Sequence, residues 1–153
     1  MDLILWRHAE AVGENEAEDD LARALTAKGE RQAERMAEWL NRRMAHSTRV
    51  LASPAIRCQQ TAKALGRKVR TIADLAPGGS VETVLRAARW PDAAEPVLIV
   101  GHQPTLGYVA SLVVTGSAQP WAVKKGAVWW IRCRARDGVN QVVVQGVQGP
   151  EWL

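Results

Sequence analysis

Two uninterrupted apolar runs, Leu3-Ile4-Leu5-Trp6 and Val97-Leu98-Ile99-Val100, constrain this chain most. Each has the length of a short strand. Neither alternates with polar residues, so each reads as a buried strand of a mostly parallel sheet covered on both faces. Each run is followed by a histidine, as Arg7-His8 and as Gly101-His102, in a chain with only three histidines. Ligands of open α/β sheets bind at the carboxyl ends of the strands. The pattern therefore delivers two imidazoles and one arginine to the functional edge of such a sheet.

The segments between the runs alternate helix and strand. Thr26 can cap a helix running to about Met44, with the apolar stripe Ala33, Met36, Ala37, Leu40 and Met44 at spacings of three and four. Arg49 to Ala52 reads as a second strand. Ser53-Pro54 then opens a helix to about Leu65, closed by Gly66, with proline at its first position. Its apolar face is Ala55, Cys58, Ala62 and Leu65, and Arg57 and Thr61 share another face. Val69 to Ile72 is a third strand, Val81 to Arg89 a short helix capped by Ser80, and Pro104 to about Val114 the last helix. Ala127 to Arg134 and Gln141 to Gln145 flank Asp137-Gly138, a type I′ hairpin signal. The fold class expected is α/β: a three-layer α/β/α sandwich with a mostly parallel sheet and an antiparallel edge hairpin. At 153 residues, without an internal repeat or long linker, residues 1–153 are expected to form one domain.

Composition excludes several classes. No stretch approaches the ~20 apolar residues of a membrane span. Asp2 leads straight into a four-residue apolar run, so no secretory signal is expected, and Cys58 and Cys133 match no metal spacing. A reduced, cytoplasmic protein is the simplest reading. The net charge of +4 and pI near 9.5 permit nucleic-acid binding, but the cations are dispersed and no aromatics are interleaved. An anionic substrate explains the balance equally well.

Arg57 falls in the first turn of the helix after the second strand. With Arg7, His8 and His102 it would form a pocket of two guanidiniums and two imidazoles, suited to a dianionic phosphoryl group. Four segments in order strengthen that reading. Arg7-His8-Ala9-Glu10-Ala11 resembles the RHG/RHA motif of the histidine phosphatase superfamily, also called phosphoglycerate mutase-like. Arg23 to Gly29 resembles its R-x-L-T-x-x-G segment, Ser53 to Ala62 its S-P-x-x-R-x-x-Q-T-A segment, and Val100 to Pro104 its second histidine block. The resemblance runs from residue 3 to about 115. The short length and the Gly-His-Gln-Pro-Thr-Leu form look most like the compact SixA-type phosphohistidine phosphatases, without the insertion that covers the site in mutases.

The resemblance implies His8 as nucleophile through a phosphohistidine intermediate. Its second ring nitrogen would donate to a backbone carbonyl. Arg7 and Arg57 would bind the phosphoryl oxygens, and His102 would donate a hydrogen bond to them. No metal or cofactor is implied. Members that cleave phosphate monoesters add a carboxylic acid; Glu82 is the first candidate, with Asp74 and Glu10 behind it. The expected substrate is phosphohistidine on a phosphorelay or signalling protein. The alternatives are a small phosphate ester, or a non-catalytic module that binds phosphoryl groups. A nucleic-acid-binding domain has no motif in its favour.

The remaining features read more simply. Glu14 to Asp20 is a solvated acidic loop, or a rim that repels small anions or docks a basic partner. Arg23 anchors this loop through an acid such as Asp20, and Gly29 meets a packing or backbone requirement. His46 is solvated. Trp129 and Trp130, adjacent in a strand, point to opposite faces, with Trp121 nearby. Lys124 and Lys125 form a solvated edge or guide an anionic partner.

Overall fold

The computed structural model describes residues 1–153. Its strands are β1 (Asp2–Arg7), β2 (Arg49–Ala52), β3 (Val69–Thr71), β4 (Val97–Gly101), β5 (Val128–Arg136) and β6 (Val139–Gln148). They form one sheet in the order β3-β2-β4-β1-β5-β6. The first four pair in parallel, and β5 and β6 add an antiparallel edge. The two apolar runs are neighbours, with Leu3 opposite Val97 and Arg7 opposite Gly101. That register sets His8 and His102 side by side, each one residue past its strand.

Alternation along the buried strands builds two cores, one on each sheet face. Leu3, Leu5, Leu51, Val97 and Ile99 face α3 (Val81–Ala88) and α4 (Thr105–Thr115), where Val84, Ala88, Leu106, Val109 and Ala110 pack. Ile4, Trp6, Val50, Leu98 and Val100 face α1 (Ala27–Asn41) and α2 (Ile56–Lys63), where Met36, Ala37, Leu40, Cys58 and Ala62 pack. The three-layer α/β/α sandwich with an antiparallel edge hairpin is thus the observed architecture. Burying both faces of β1 and β4 explains why neither run alternates. Each fully buried Leu or Ile contributes roughly 1.5–3 kcal/mol.

Several boundaries differ from expectation. The helix after β2 starts at Ile56, not at Ser53-Pro54, because Ala55 is extended (φ −59°, ψ 138°) and Ser53 Oγ accepts from the Ala55 N–H at 3.1 Å. The first helix is regular only to Asn41, although Met44 N still donates to the Leu40 carbonyl and its side chain is buried. The hairpin is longer than its alternation suggests. Arg136 pairs with Val139 across Asp137 and Gly138, both at positive φ (51° and 77°), as a type I′ turn requires. The adjacent tryptophans part as expected. Trp129 stacks on Trp121 with centroids 5.4 Å apart, and Trp130 meets Trp39 edge-on at 6.4 Å.

Candidate active site

The carboxyl ends of β1, β2 and β4 bring Arg7, His8, Arg57 and His102 into one site. His8 is buried, and its Nδ1 lies 2.8 Å from the Ala9 carbonyl. A carbonyl only accepts, so Nδ1 carries the proton and Nε2 keeps its lone pair. The His8 peptide is held on both sides: its N–H donates to the Gly101 carbonyl, and its carbonyl accepts from Gly126 N. The His102 ring lies 5.4 Å from the His8 ring, centroid to centroid. Arg57 Nη2 donates to His102 Nδ1 at 3.3 Å, so Nε2–H donates to Ser53 Oγ at 2.7 Å. The Ser53 hydroxyl can rotate to give instead of take a proton, which allows His102 either neutral tautomer.

The two guanidiniums are held by different segments of the chain. Arg7 Nη1 donates to the Val123 carbonyl at 2.9 Å. Arg57 is 4% exposed and donates to the Asp20 carbonyl at 2.6 Å and to Asp20 Oδ2 at 3.0 Å. The Nε–H groups of both arginines are buried without an acceptor. Buried donors are seldom left unpaired, and an oxyanion between the two arginines would supply what they lack.

Electrostatics follows from burial beside cations. Burial is the main cause that lowers His8 to about 3, with His102, Arg57 and Arg7 adding to it against the Ala9 carbonyl. Burial, then Arg57, lowers His102 to about 4. Arg7 is lowered by burial and by Arg57. Hydrogen bonds from Arg23 and Arg57 hold the Asp20 carboxyl below the usual carboxylate range. Both histidines are therefore neutral near pH 7, as a nitrogen nucleophile must be. The Cys58 thiol, 3.5 Å from His102 Nε2, is pushed up to about 12, chiefly by burial.

The three candidate acids separate. Asp74 lines a small pocket with His102, Thr105 and Gly79. Glu82 is exposed in the first turn of α3, outside that pocket. The Glu10 carboxylate accepts from Thr26 Oγ1 at 2.8 Å and so serves the start of α1. No group of three or more His, Cys, Asp or Glu side chains is placed to hold a metal ion, and no helix is long and apolar enough to cross a membrane.

The acidic loop is anchored at its end. Arg23 donates to the Val12 carbonyl at 2.8 Å and to Asp20 Oδ1 at 3.0 Å, and Asp20 in turn holds Arg57. The anchor role expected of Arg23 is present; the grip of Asp20 on Arg57 was not foreseen. Gly29 packs so tightly that a Cβ there would collide with the Glu10 carbonyl oxygen. Sequence reading also missed the supports of the site. Thr61 Oγ1 accepts from Ala9 N and donates to the Arg57 carbonyl, tying the two histidine and arginine segments together. Gln32 Oε1 accepts from Glu10 N. Thr61 at four residues from Arg57 was a usable signal; Gln32 and Gly126 gave none.

Comparison with known proteins agrees with this geometry. A family model described as histidine phosphatase superfamily (branch 1) matches residues 3–78. An uncharacterized protein of Picosynechococcus sp. is 35% identical over 165 residues, covering 100% of this chain and 99% of its own. The phosphohistidine phosphatase SixA of Escherichia coli is 29% identical over 128 residues, 78% of each chain. The structure of a protein histidine phosphatase SixA complexed with tungstate superposes with a TM-score of 0.78 at 25% identity, covering 98% of this chain and 97% of that one. With its motifs converging on one pocket, a family model matching residues 3–78 and SixA relatives in sequence and structure, the chain belongs to the histidine phosphatase superfamily.

Proposed function

We propose that this phosphatase hydrolyses phosphohistidine on a protein, with His8 as nucleophile. One observation carries the reading. A neutral His8, its Nδ1 proton fixed on a carbonyl, leaves Nε2 free beside His102 and two arginines with unmet donors. His8 Nε2 attacks phosphorus, and the P–N bond to the substrate imidazole breaks. The leaving imidazole keeps the electron pair and departs neutral if its other nitrogen is protonated. Water then attacks phospho-His8, releasing inorganic phosphate and a proton and restoring the Nε2 lone pair. Arg7 and Arg57 bind the equatorial oxygens, and His102 donates from Nδ1–H in the neutral tautomer whose Nε2 accepts a hydrogen bond from the Ser53 hydroxyl.

An imidazole leaves without the acid that an alkoxide requires. The site matches that difference, because the acid that Arg57 touches, Asp20, is held ionised. A second reading, a small phosphate ester, is favoured by Asp74 sharing a pocket with His102. Phosphate release from a histidine-phosphorylated carrier protein and from a phosphomonoester panel separates the two. Release from phosphohistidine that vanishes in His8→Ala, with little monoester turnover, supports the protein substrate. Fast monoester turnover that Asp74→Asn abolishes replaces it with the small-ester reading.

A further inference from the structure

Beside the site, but outside the phosphoryl pocket, an open groove of about 500 Å³ runs between α1 and the turn Pro150–Trp152. Lys28, Arg31, Arg35 and Lys124 line it, all exposed, with Glu151 as its only carboxylate. Glu151 lies 3.8 Å from Lys124, whereas Lys28, Arg31 and Arg35 have no ion-pair partner. The groove touches the catalytic segment at two points. Gln32, which lines it, binds Glu10 N, and the Lys124–Gly126 segment ends on the hydrogen bond from Gly126 N to the His8 carbonyl.

We propose that this groove docks an acidic segment of the phosphorylated protein, a reading that rests on the protein substrate proposed above. Lys28, Arg31 and Arg35 recur at three and four residues, so they form one stripe about 10 Å long on α1. A single phosphate cannot span that stripe. An extended chain rises about 3.3 Å per residue, so three or four residues bearing carboxylates match it. No aromatic side chain lines the groove to stack on a base, which favours an acidic polypeptide over a nucleic acid. Exposed cations at a rim act mainly on encounter rate and partner choice, and their effect falls with salt.

The test uses two synthetic peptides with the same phosphohistidine, one flanked by a run of Asp and Glu and one by Ser and Gly. Wild type is expected to turn over the acidic peptide with a kcat/KM about tenfold higher at low salt, a preference that high salt removes. The triple variant K28E/R31E/R35E is expected to lose the preference while keeping its rate on the neutral peptide. Equal turnover of both peptides by wild type overturns the proposal, as does a parallel loss on both in the variant. Fluorescence anisotropy of a labelled, unphosphorylated acidic peptide tests the groove without chemistry. Binding to wild type and not to the variant supports docking even where neither phosphopeptide is hydrolysed, an outcome that defeats the phosphohistidine reading alone. Tighter binding of a single-stranded oligonucleotide than of the acidic peptide overturns the proposal in favour of nucleic acid.

Discussion

As the proposed nucleophile, His8 needs a free Nε2, and the Ala9 carbonyl secures it by accepting a hydrogen bond from Nδ1–H, which holds the proton on that nitrogen. His8→Ala is expected to lower kcat at least about 10³-fold in a phosphate-release assay while leaving the far-UV circular dichroism unchanged. In the proposed mechanism Arg57 acts through charge, and Arg57→Ala is expected to cost roughly 10²–10³ in kcat/KM. Asp20 occupies the same guanidinium in the free protein. Asp20→Ala removes a competitor for Arg57 Nη2. It is expected to tighten inorganic phosphate binding up to about fivefold, as fits a pair whose carboxylate partner is solvent-exposed and which is worth about 1 kcal/mol. Isothermal titration with phosphate checks this; weaker binding would show that Asp20 mainly positions Arg57. The pH dependence has a definite sign. His8 and His102 are lowered to about 3 and about 4, below the value near 6.5 of an unfolded chain, so the unfolded chain binds more protons in that window. Their contribution to stability is full above about pH 6.5 and is lost as the pH falls towards 4. A melting temperature that falls between pH 7 and pH 5 in wild type, and falls less in His102→Asn, is the expected result.

The site is assembled by short elements with little freedom to shift. β1 and β4 fix the level of the two histidines through register, and α1 presses on the loop after β1 through Gly29 and Gln32. Gly29→Ala drives a methyl into the Glu10 carbonyl. It is expected to lower both melting temperature and phosphate release, by a few kcal/mol of overpacking in the first case, followed by thermal melts and activity in parallel. These elements also separate what sequence can carry from what it cannot. The runs Leu3–Trp6 and Val97–Val100 had to be buried strands because they lack polar alternation, and their trailing histidines marked the edge of the sheet. The start of α2 was misplaced because Pro54 suits a first helical turn. That preference is overridden by Ser53, whose hydroxyl is committed to Ala55 N and His102. β6 outran its expected bounds because most of its side chains are exposed, so hydrophobic alternation does not mark its ends. The hydrogen bond from Gly126 N to the His8 carbonyl spans more than a hundred residues and has no local signature.

At the scale of the molecule, charge is arranged around the open edge of the sheet. The acidic loop ends at Asp20, which is tied to Arg57, and the basic groove along α1 reaches the His8 segment through Gln32. An entering phosphoprotein would meet both, whereas a free phosphate would meet Asp20 alone. Tungstate, with which the related SixA structure is complexed, is a tetrahedral oxyanion like phosphate but carries no leaving group. It is expected to raise the melting temperature of wild type and to have little effect on Arg57→Ala. The covalent intermediate itself is the most direct test of the account. Rapid-quench reaction with a substrate carrying radiolabelled phosphohistidine should transfer label to the protein within the first turnover. That label should be acid-labile, map to the peptide containing His8, and be absent from His8→Ala. Phosphate released with no label on the enzyme, or label mapped to a residue other than His8, would contradict it.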